Sequence, residues 1–229
     1  MFRDRRGAGR LLARRLVQYA GRPEVVVLAL PRGGVPVAYE VASALEVPLD
    51  VFVVRKLGMP GHEEFAIGAV ASGGLMVRRP LLIEAYQIPD EIVGRIEARE
   101  RAELARRERL YGRETGAFDV KGKTVIVVDD GLATGSTMHA AVLALRKALP
   151  ARIVVAVPVG SPEACEGLRA EADEVVCLAT PEHFRAVGQW YADFRQTSDD
   201  EVLELLGQAR AHPAAAGELA FAGADAGGR

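Results

Sequence analysis

Between positions 125 and 137 the chain reads Val125-Ile126-Val127-Val128-Asp129-Asp130-Gly131-Leu132-Ala133-Thr134-Gly135-Ser136-Thr137. Four apolar residues, typical of a buried strand, end in two adjacent carboxylates. A loop of small and hydroxylated residues follows, and a helix is predicted from Thr137. Small residues let the backbone approach a ligand closely, and the free N–H groups at a helix start favour an anion. The pattern therefore predicts a phosphate site at the carboxyl end of a strand, where ligands of open α/β sheets bind.

Apolar runs on either side of this stretch predict a largely parallel sheet. Strands of such sheets are covered by helices on both faces and therefore read as continuous apolar segments. Five segments fit this description, at residues 25–30, 49–54, 124–128, 153–157 and 174–178. Helical patterns lie between several of them, at residues 10–19, 35–45 and 137–149, and Ser161-Pro162 starts another helix. The alternation predicts an α/β fold with a central, mainly parallel twisted sheet and helices on both faces.

The predicted domain occupies residues 1–210. Two regions depart from the strand–helix alternation. We expect a lid and a charged helical insertion at about 55–115, and a small hood at about 158–200. Residues 211–229 are mostly Ala and Gly, a composition that predicts a disordered tail.

The insertion itself divides into two parts. Residues 65–77 are rich in glycine, which favours a hairpin or a mobile loop over a core strand. Residues 89–113 form a charged helical pattern in which acids and arginines are interleaved. Such interleaving favours a surface or subunit-contact helix over a helix that binds nucleic acid.

Charge and composition limit the function classes. Lys and Arg number 29 and Asp and Glu 31, so the formal net charge of −2 gives no general attraction to nucleic acid. The apolar segments fall short of the roughly 20 residues that span a bilayer, and no apolar block follows the basic N-terminus. We therefore expect a cytoplasmic protein without a membrane partner. The absence of Asn and the excess of Arg over Lys fit either a heat-tolerant protein or a biased genome.

The two aspartates narrow the range of ligands that the site could bind. Carboxylates repel phosphate, so Asp129 and Asp130 must face another group. A ribose diol donates hydrogen bonds to carboxylates, and Mg²⁺ nearby would offset the negative charge. The lysine of a GxxxxGK[ST] loop is missing and no GxGxxG is present, which argues against a P-loop and a dinucleotide-binding motif.

The stretch from Val125 to Thr137 resembles the signature of type I phosphoribosyltransferases, above all the adenine-type members with their Asp-Asp-x-Leu-Ala-Thr-Gly-x-Thr loop. The resemblance implies that Asp129 and Asp130 hold the ribose hydroxyls of 5-phosphoribosyl-1-diphosphate (PRPP) and act in catalysis. It also implies that Mg²⁺ is held indirectly by these acids, through ribose and water. The 5′-phosphate would be wrapped by Ala133, Thr134, Gly135, Ser136 and Thr137.

Two further clusters resemble the diphosphate-binding parts of this family. Arg32, Gly33 and Gly34 follow the first predicted strand, and the resemblance implies a non-proline cis peptide at Pro31–Arg32. An ordinary tight turn would have the same sequence. The second cluster, Arg55-Lys56-Leu57-Gly58-Met59-Pro60, resembles the run that leads into the adenine-type lid. Arg55, a further catalytic candidate, and Lys56 would then contact diphosphate, whereas the alternative is a basic surface turn.

The implied reaction is Mg²⁺-dependent transfer of the phosphoribosyl group from PRPP to a nitrogen nucleophile such as a purine or pyrimidine base. Ala133 stands where members that act on 6-oxopurines carry an acid, which argues against hypoxanthine or guanine. Adenine-type members take a glutamate from a Leu-Glu-Tyr-Gly stretch, which residues 65–68 do not reproduce. Glu63 and Glu64 are therefore the candidates for the general base.

The acceptor and the assembly are less defined by the sequence. Trp190, Tyr191 and Phe194 are candidates for stacking on a base, or they anchor the last helix in the core. Family members commonly pair, which implies a homodimer. A regulator that binds PRPP without catalysis, and a generic α/β phosphate-ester binder, are alternative functions.

Overall fold

The centre of the structure is a five-stranded parallel sheet with helices on both faces. The computed structural model describes residues 1–112 and 119–211, without the side chains of Glu63 and Glu64. The strands are β1 Val25–Ala29, β2 Leu49–Val51, β3 Val54–Met59, β4 His62–Ala71, β5 Leu75–Arg78, β6 Thr124–Val128, β7 Arg152–Val159 and β8 Glu174–Ala179. The central sheet has the order β2-β1-β6-β7-β8, and every neighbouring pair in it is parallel. The predicted fold class is confirmed.

The helices that cover the sheet begin largely where the capping residues place them. They are α1 Arg5–Arg15, α2 Gly34–Leu45, α3 Pro80–Ala85, α4 Asp90–Leu110, α5 Ser136–Lys147, α6 Pro162–Arg169 and α7 Asp199–Ala211. Ser161 caps α6 as predicted, since its side chain accepts from the N–H of Ala164. Helix α1 starts earlier than predicted because Asp4 caps it, accepting from the N–H of Gly7 at 2.6 Å. In the described part of the chain, each helix is too short or too polar to cross a membrane.

The strands next to the site are buried on both faces. Val27 of β1 and Ile126 of β6 belong to one apolar cluster, whereas Leu28 and Val127 belong to the cluster on the opposite face. All five residues of β6 are buried. Because side chains alternate between faces along a strand, a strand between two cores must be apolar throughout. This requirement explains why the sequence showed these strands so clearly.

The predicted strand at 49–54 is wrong in one respect, because two strands share that segment. Strand β2 ends at Val51, and β3 starts at Val54 in a separate antiparallel sheet of order β3-β4-β5. The change of sheet is fixed at Val53, whose N–H donates to Ser72 Oγ at 3.0 Å and whose carbonyl accepts from the N–H of Ser72 at 2.9 Å. An apolar run continues across the break because Phe52 and Val53 are buried as well.

The segment at 65–77, predicted as a hairpin or a mobile loop, is a hairpin formed by β4 and β5. Strand β4, in the middle of the antiparallel sheet, is also part of the core. Ile67 and Val70 of β4 are fully buried, contrary to the expectation that this segment lies outside the core. Helix α4, predicted at 89–113, packs on the hairpin through acids. Arg78 contacts the buried Glu97 at 2.6 and 2.8 Å. The charged pattern of α4 therefore serves packing as well as solvation.

Candidate functional site

The loops that follow β1 and β6 meet at the carboxyl edge of the central sheet. Ala29 and Val128, the last residues of these strands, are paired neighbours. A Cβ atom on Gly34 would lie 2.7 Å from the carbonyl oxygen of Val128, and one on Gly33 would overlap Oδ2 of Asp130. Only glycine permits this approach. Two sequence-predicted clusters are thus in direct contact, and the peptide between Pro31 and Arg32 is cis, as predicted.

Asp129 and Asp130, the acid pair, are half-buried. Their surroundings disfavour the negative charge of two ionised carboxylates. Oδ1 of Asp129 accepts from the N–H of Asp130 at 2.8 Å. Burial, and then the charge of Asp130, raise the pKa of Asp129 well above its ordinary value. Burial also raises the pKa of Asp130, against the opposing effect of Arg5. A ligand that brings hydrogen-bond donors or a cation to this pair would offset the cost of keeping both groups ionised.

Arg5 of α1 belongs to the site, although no motif in the sequence pointed to it. Its Nε donates to Oδ2 of Asp130 at 2.8 Å, across 125 residues of chain. Its Nη1 donates to the carbonyl of Arg195 at 2.7 Å, and its guanidinium carbon lies 3.9 Å from the ring centre of Phe194. One cation thus joins the N-terminal helix, the acid pair and the predicted hood.

The predicted phosphate loop has a defined conformation and borders two cavities. Gly135 caps α5 with a φ of 70°, a left-handed conformation that favours glycine. The hydroxyls of Thr134 and Ser136 lie 2.8 Å apart, and Ser161 Oγ donates to the carbonyl of Ala133 at 2.9 Å. Cavities of about 380 and 420 Å³ each have Thr134 and His139 in their lining. The loop therefore has both the donors and the space that an anion needs.

The three predicted basic residues lie on two different elements of the fold. Arg32 is about one-third exposed, and its Nη1 is 3.9 Å from Oδ2 of Asp199. Arg55 projects from β3 toward α4, where its Nη2 lies 2.7 Å from the buried Glu100. Lys56 is half-buried on the same strand. Their roles toward diphosphate stay predictions.

Comparison with known proteins agrees with this geometry. A family model described as the phosphoribosyl transferase domain matches residues 5–195. This chain belongs to the phosphoribosyl transferase family. The Mycobacterium tuberculosis H37Rv protein named "Putative phosphoribosyl transferase Rv0571c" is 45% identical over 219 residues, or 96% of this chain. The chain spans about half (49%) of that relative's length.

A solved structure shows the same fold at similar sequence distance. The crystal structure of TT1426 from Thermus thermophilus is 48% identical, with a TM-score of 0.81. The match covers 91% of this chain and 98% of that one. The phosphoribosyl transferase match extends from Arg5 to Arg195, so it includes both the N-terminal helix and the segment that contacts it.

The aromatic residues that are candidates for stacking on a base are packed together in this member of the family. Tyr191 is only 5% exposed, and its hydroxyl donates to the carbonyl of Asp130 at 2.6 Å. Its ring centre lies 5.4 Å from that of Phe2 and 5.1 Å from that of Phe194. The rings pack with the N-terminal segment and not with the last helix, whose buried residues belong to another apolar cluster. Their role toward a base stays a prediction. Phe184, which the sequence did not single out, lines the cavity of about 420 Å³ beside Thr134.

The donor set of the site suits a magnesium ion that is shared with substrate. Among the described residues, no group of three or more His, Cys, Asp or Glu side chains forms a metal cage. Asp129 and Asp130 supply two carboxylates, and Mg²⁺ is commonly bound by one or two carboxylates together with water and substrate phosphates. The residues present therefore fit Mg²⁺ that arrives with a phosphorylated ligand.

Proposed function

We propose that this chain transfers the 5-phosphoribosyl group of PRPP to a nitrogen nucleophile and releases diphosphate, with Mg²⁺ required. The observation that carries the proposal is the contact between the acid pair and the loop of Arg32, Gly33 and Gly34. Groups suited to a ribose diol and to a diphosphate lie side by side there, next to the loop suited to a 5′-phosphate. PRPP presents these three groups on one sugar.

Each subsite has its own chemistry in this proposal. Asp129 and Asp130 accept hydrogen bonds from the ribose hydroxyls, and the backbone and hydroxyls of residues 133–137 bind the 5′-phosphate. The amides of Gly33 and Gly34, with Arg32, bind the diphosphate. Arg55 and Lys56 lie on the strand that enters the hairpin, and we assign them to the diphosphate as well.

The reaction breaks the bond between C1 of ribose and a diphosphate oxygen, and it forms a bond from C1 to nitrogen. Positive charge develops on the sugar and negative charge on the departing group. Asp129 and Asp130 stabilise the sugar electrostatically, while Arg32 and Arg55 stabilise the diphosphate. Bound Mg²⁺ would supply additional neutralisation of the diphosphate charge. The turn that joins β3 and β4 is the proposed lid, which excludes water from the activated sugar.

The acceptor is proposed only as a class, a nitrogen heterocycle such as a purine or pyrimidine base. Ala133 provides no acid for a 6-oxopurine. The candidate bases Glu63 and Glu64 lie outside the described side chains. We also propose that the chain acts as a homodimer in the cytoplasm. The predicted tail at 212–229 lies outside the described residues.

Calorimetry and turnover together test this function. With Mg²⁺ present, PRPP should bind at least about tenfold more tightly than ribose 5-phosphate, because only PRPP fills the diphosphate subsite. Diphosphate release should then appear with at least one base of a purine and pyrimidine panel. Equal affinity for the two sugars would indicate a generic phosphate-ester binder. Tight PRPP binding without turnover on any base would indicate a PRPP-binding regulator.

Alanine at position 33 should weaken PRPP binding by about ten- to a hundredfold. The added Cβ would overlap the Asp130 carboxylate, so either the acid or the diphosphate loop must move. Calorimetry with PRPP measures the effect. The matched control is Gly207→Ala on α7, where a Cβ meets no atom within 4 Å. Unchanged affinity in Gly33→Ala would show that the two loops do not bind one ligand together.

A further inference from the structure

The side chain of Arg5 contacts three partners, which lie in distant parts of the chain. Its side chain is 11% exposed and its partner Asp130 is 15% exposed. The third contact besides Asp130 and the Arg195 carbonyl is the face of Phe194. Removing an arginine from water is costly unless its charge is paired and its donors are satisfied. Two directed hydrogen bonds and a ring contact, made from three different parts of the chain, indicate that the position of this guanidinium matters.

Anchoring of the N-terminal segment does not explain Arg5. The N–H of Phe2 donates to the carbonyl of Trp190 at 2.7 Å, and the N–H of Ala192 donates back to Phe2 at 2.8 Å. Helix α1 is capped by Asp4 and buries Leu12 against the core. The segment is therefore attached by backbone hydrogen bonds and apolar packing that would persist without the Arg5 side chain.

The contacts of Asp130 are one-sided. Arg5 binds Oδ2, and the backbone of Gly33 also lies against Oδ2. One oxygen is thus enclosed between an arginine and the diphosphate loop. Oδ1 lies farther than Oδ2 from the Gly33 position, at 3.3 Å from an added Cβ that would overlap Oδ2, and Arg5 does not bind it.

We infer that Arg5 is a positioning residue, which fixes the Asp130 carboxylate so that one oxygen is presented to a ribose hydroxyl. The inference rests on the proposed function, since it assigns the ribose diol to the acid pair. Arg5 touches the acid and not the reacting atoms, so it acts through Asp130. Through Arg195 and Phe194 it also makes this orientation depend on the docking of the hood.

The test measures which part of the ligand loses affinity. Calorimetry with Mg²⁺ compares wild type, Arg5→Met and Arg5→Lys on PRPP, ribose 5-phosphate, 2-deoxyribose 5-phosphate and diphosphate. The matched control is Arg6→Met, which removes an ion pair on the same helix, 2.6 Å from Glu40 and half-exposed. Thermal unfolding of each variant establishes that binding is measured on folded protein.

We expect Arg5→Met to weaken ribose 5-phosphate and PRPP by about ten- to a hundredfold, the scale of a charge-assisted hydrogen bond. The preference for ribose over 2-deoxyribose should shrink, whereas diphosphate affinity should stay within about twofold of wild type. Arg5→Lys should recover part of the loss because it keeps the charge, and Arg6→Met should bind as wild type does.

Three outcomes overturn the inference alone, provided that wild type binds PRPP. The first is that Arg5→Met binds ribose 5-phosphate as wild type does. The second is that Arg5→Met loses affinity equally for all four ligands, which indicates a purely structural role. The third is that Arg5→Met binds the sugar ligands more tightly, which indicates that Arg5 competes with the sugar. Failure of wild type to bind PRPP contradicts the proposed function, and the inference falls with it.

Discussion

Asparagine at position 130 should lower kcat/KM for phosphoribosyl transfer by about 10²- to 10³-fold, the scale of removing one group that stabilises a transition-state charge. The neutral amide offers no counter-charge to the sugar and is a weaker acceptor for its hydroxyl. The substitution also leaves Arg5, whose side chain is 11% exposed, without a carboxylate. We expect the free energy of unfolding to change by no more than about 1 kcal/mol, because burial disfavours the ionised Asp130 while its contact with Arg5 favours it.

Diphosphate release and chemical denaturation measure the two effects on the same preparation. The matched control is Asp200→Asn, which makes the same chemical change at an exposed position in the first turn of α7. That control should keep its turnover. Full activity in Asp130→Asn would show that the mechanism does not depend on the acid pair.

Asparagine at position 129 should raise the stability of the fold. Burial and the neighbouring charge of Asp130 raise the pKa of Asp129, so the ionised carboxylate is costly in the folded state. Asparagine has the same shape and its side-chain oxygen can still accept from the N–H of Asp130. We therefore expect a higher melting temperature, by about 2 to 4 °C for each kcal/mol gained in a chain of this size. PRPP affinity should nevertheless fall, because the ribose loses an ionised acceptor.

The stabilisation by Asp129→Asn should depend on pH in a defined direction. The folded pKa of Asp129 lies above its unfolded value, so the carboxyl contributes stability that is complete below the unfolded pKa. That contribution is lost as pH rises through the folded pKa. The gain in melting temperature should therefore be small near the unfolded value of about 3.9 and larger at neutral pH and above.

Melting curves of wild type and variant across this range check the prediction, because the other titrating groups are common to both proteins. A gain that shrinks as pH rises would show that the charge of Asp129 is stabilised in the fold. A gain in stability together with a loss of PRPP binding in Asp129→Asn would mark this acid as a functional and not a structural feature.

Local sequence patterns were enough to predict the central sheet and the two loops that meet on it. Strands β1 and β6 lie between two apolar cores, so they must be apolar at every position, and this leaves a pattern that is visible without coordinates. The glycines at 33 and 34 and the loop after Asp130 are also local features. A close backbone approach and a helix start each require particular residue types within a few positions.

The surroundings of those loops became visible only in the folded chain. Arg5 contacts Asp130, which lies 125 residues further along the chain. Glu100 contacts Arg55 from α4, whose charge pattern predicted a surface helix. Such contacts join single residues from elements of unrelated sequence, so they have no period or spacing. The same is true of Tyr191, whose packing depends on Phe2 at the other end of the chain. Local patterns record the burial of each segment, whereas pairing between distant side chains is set only when the segments pack.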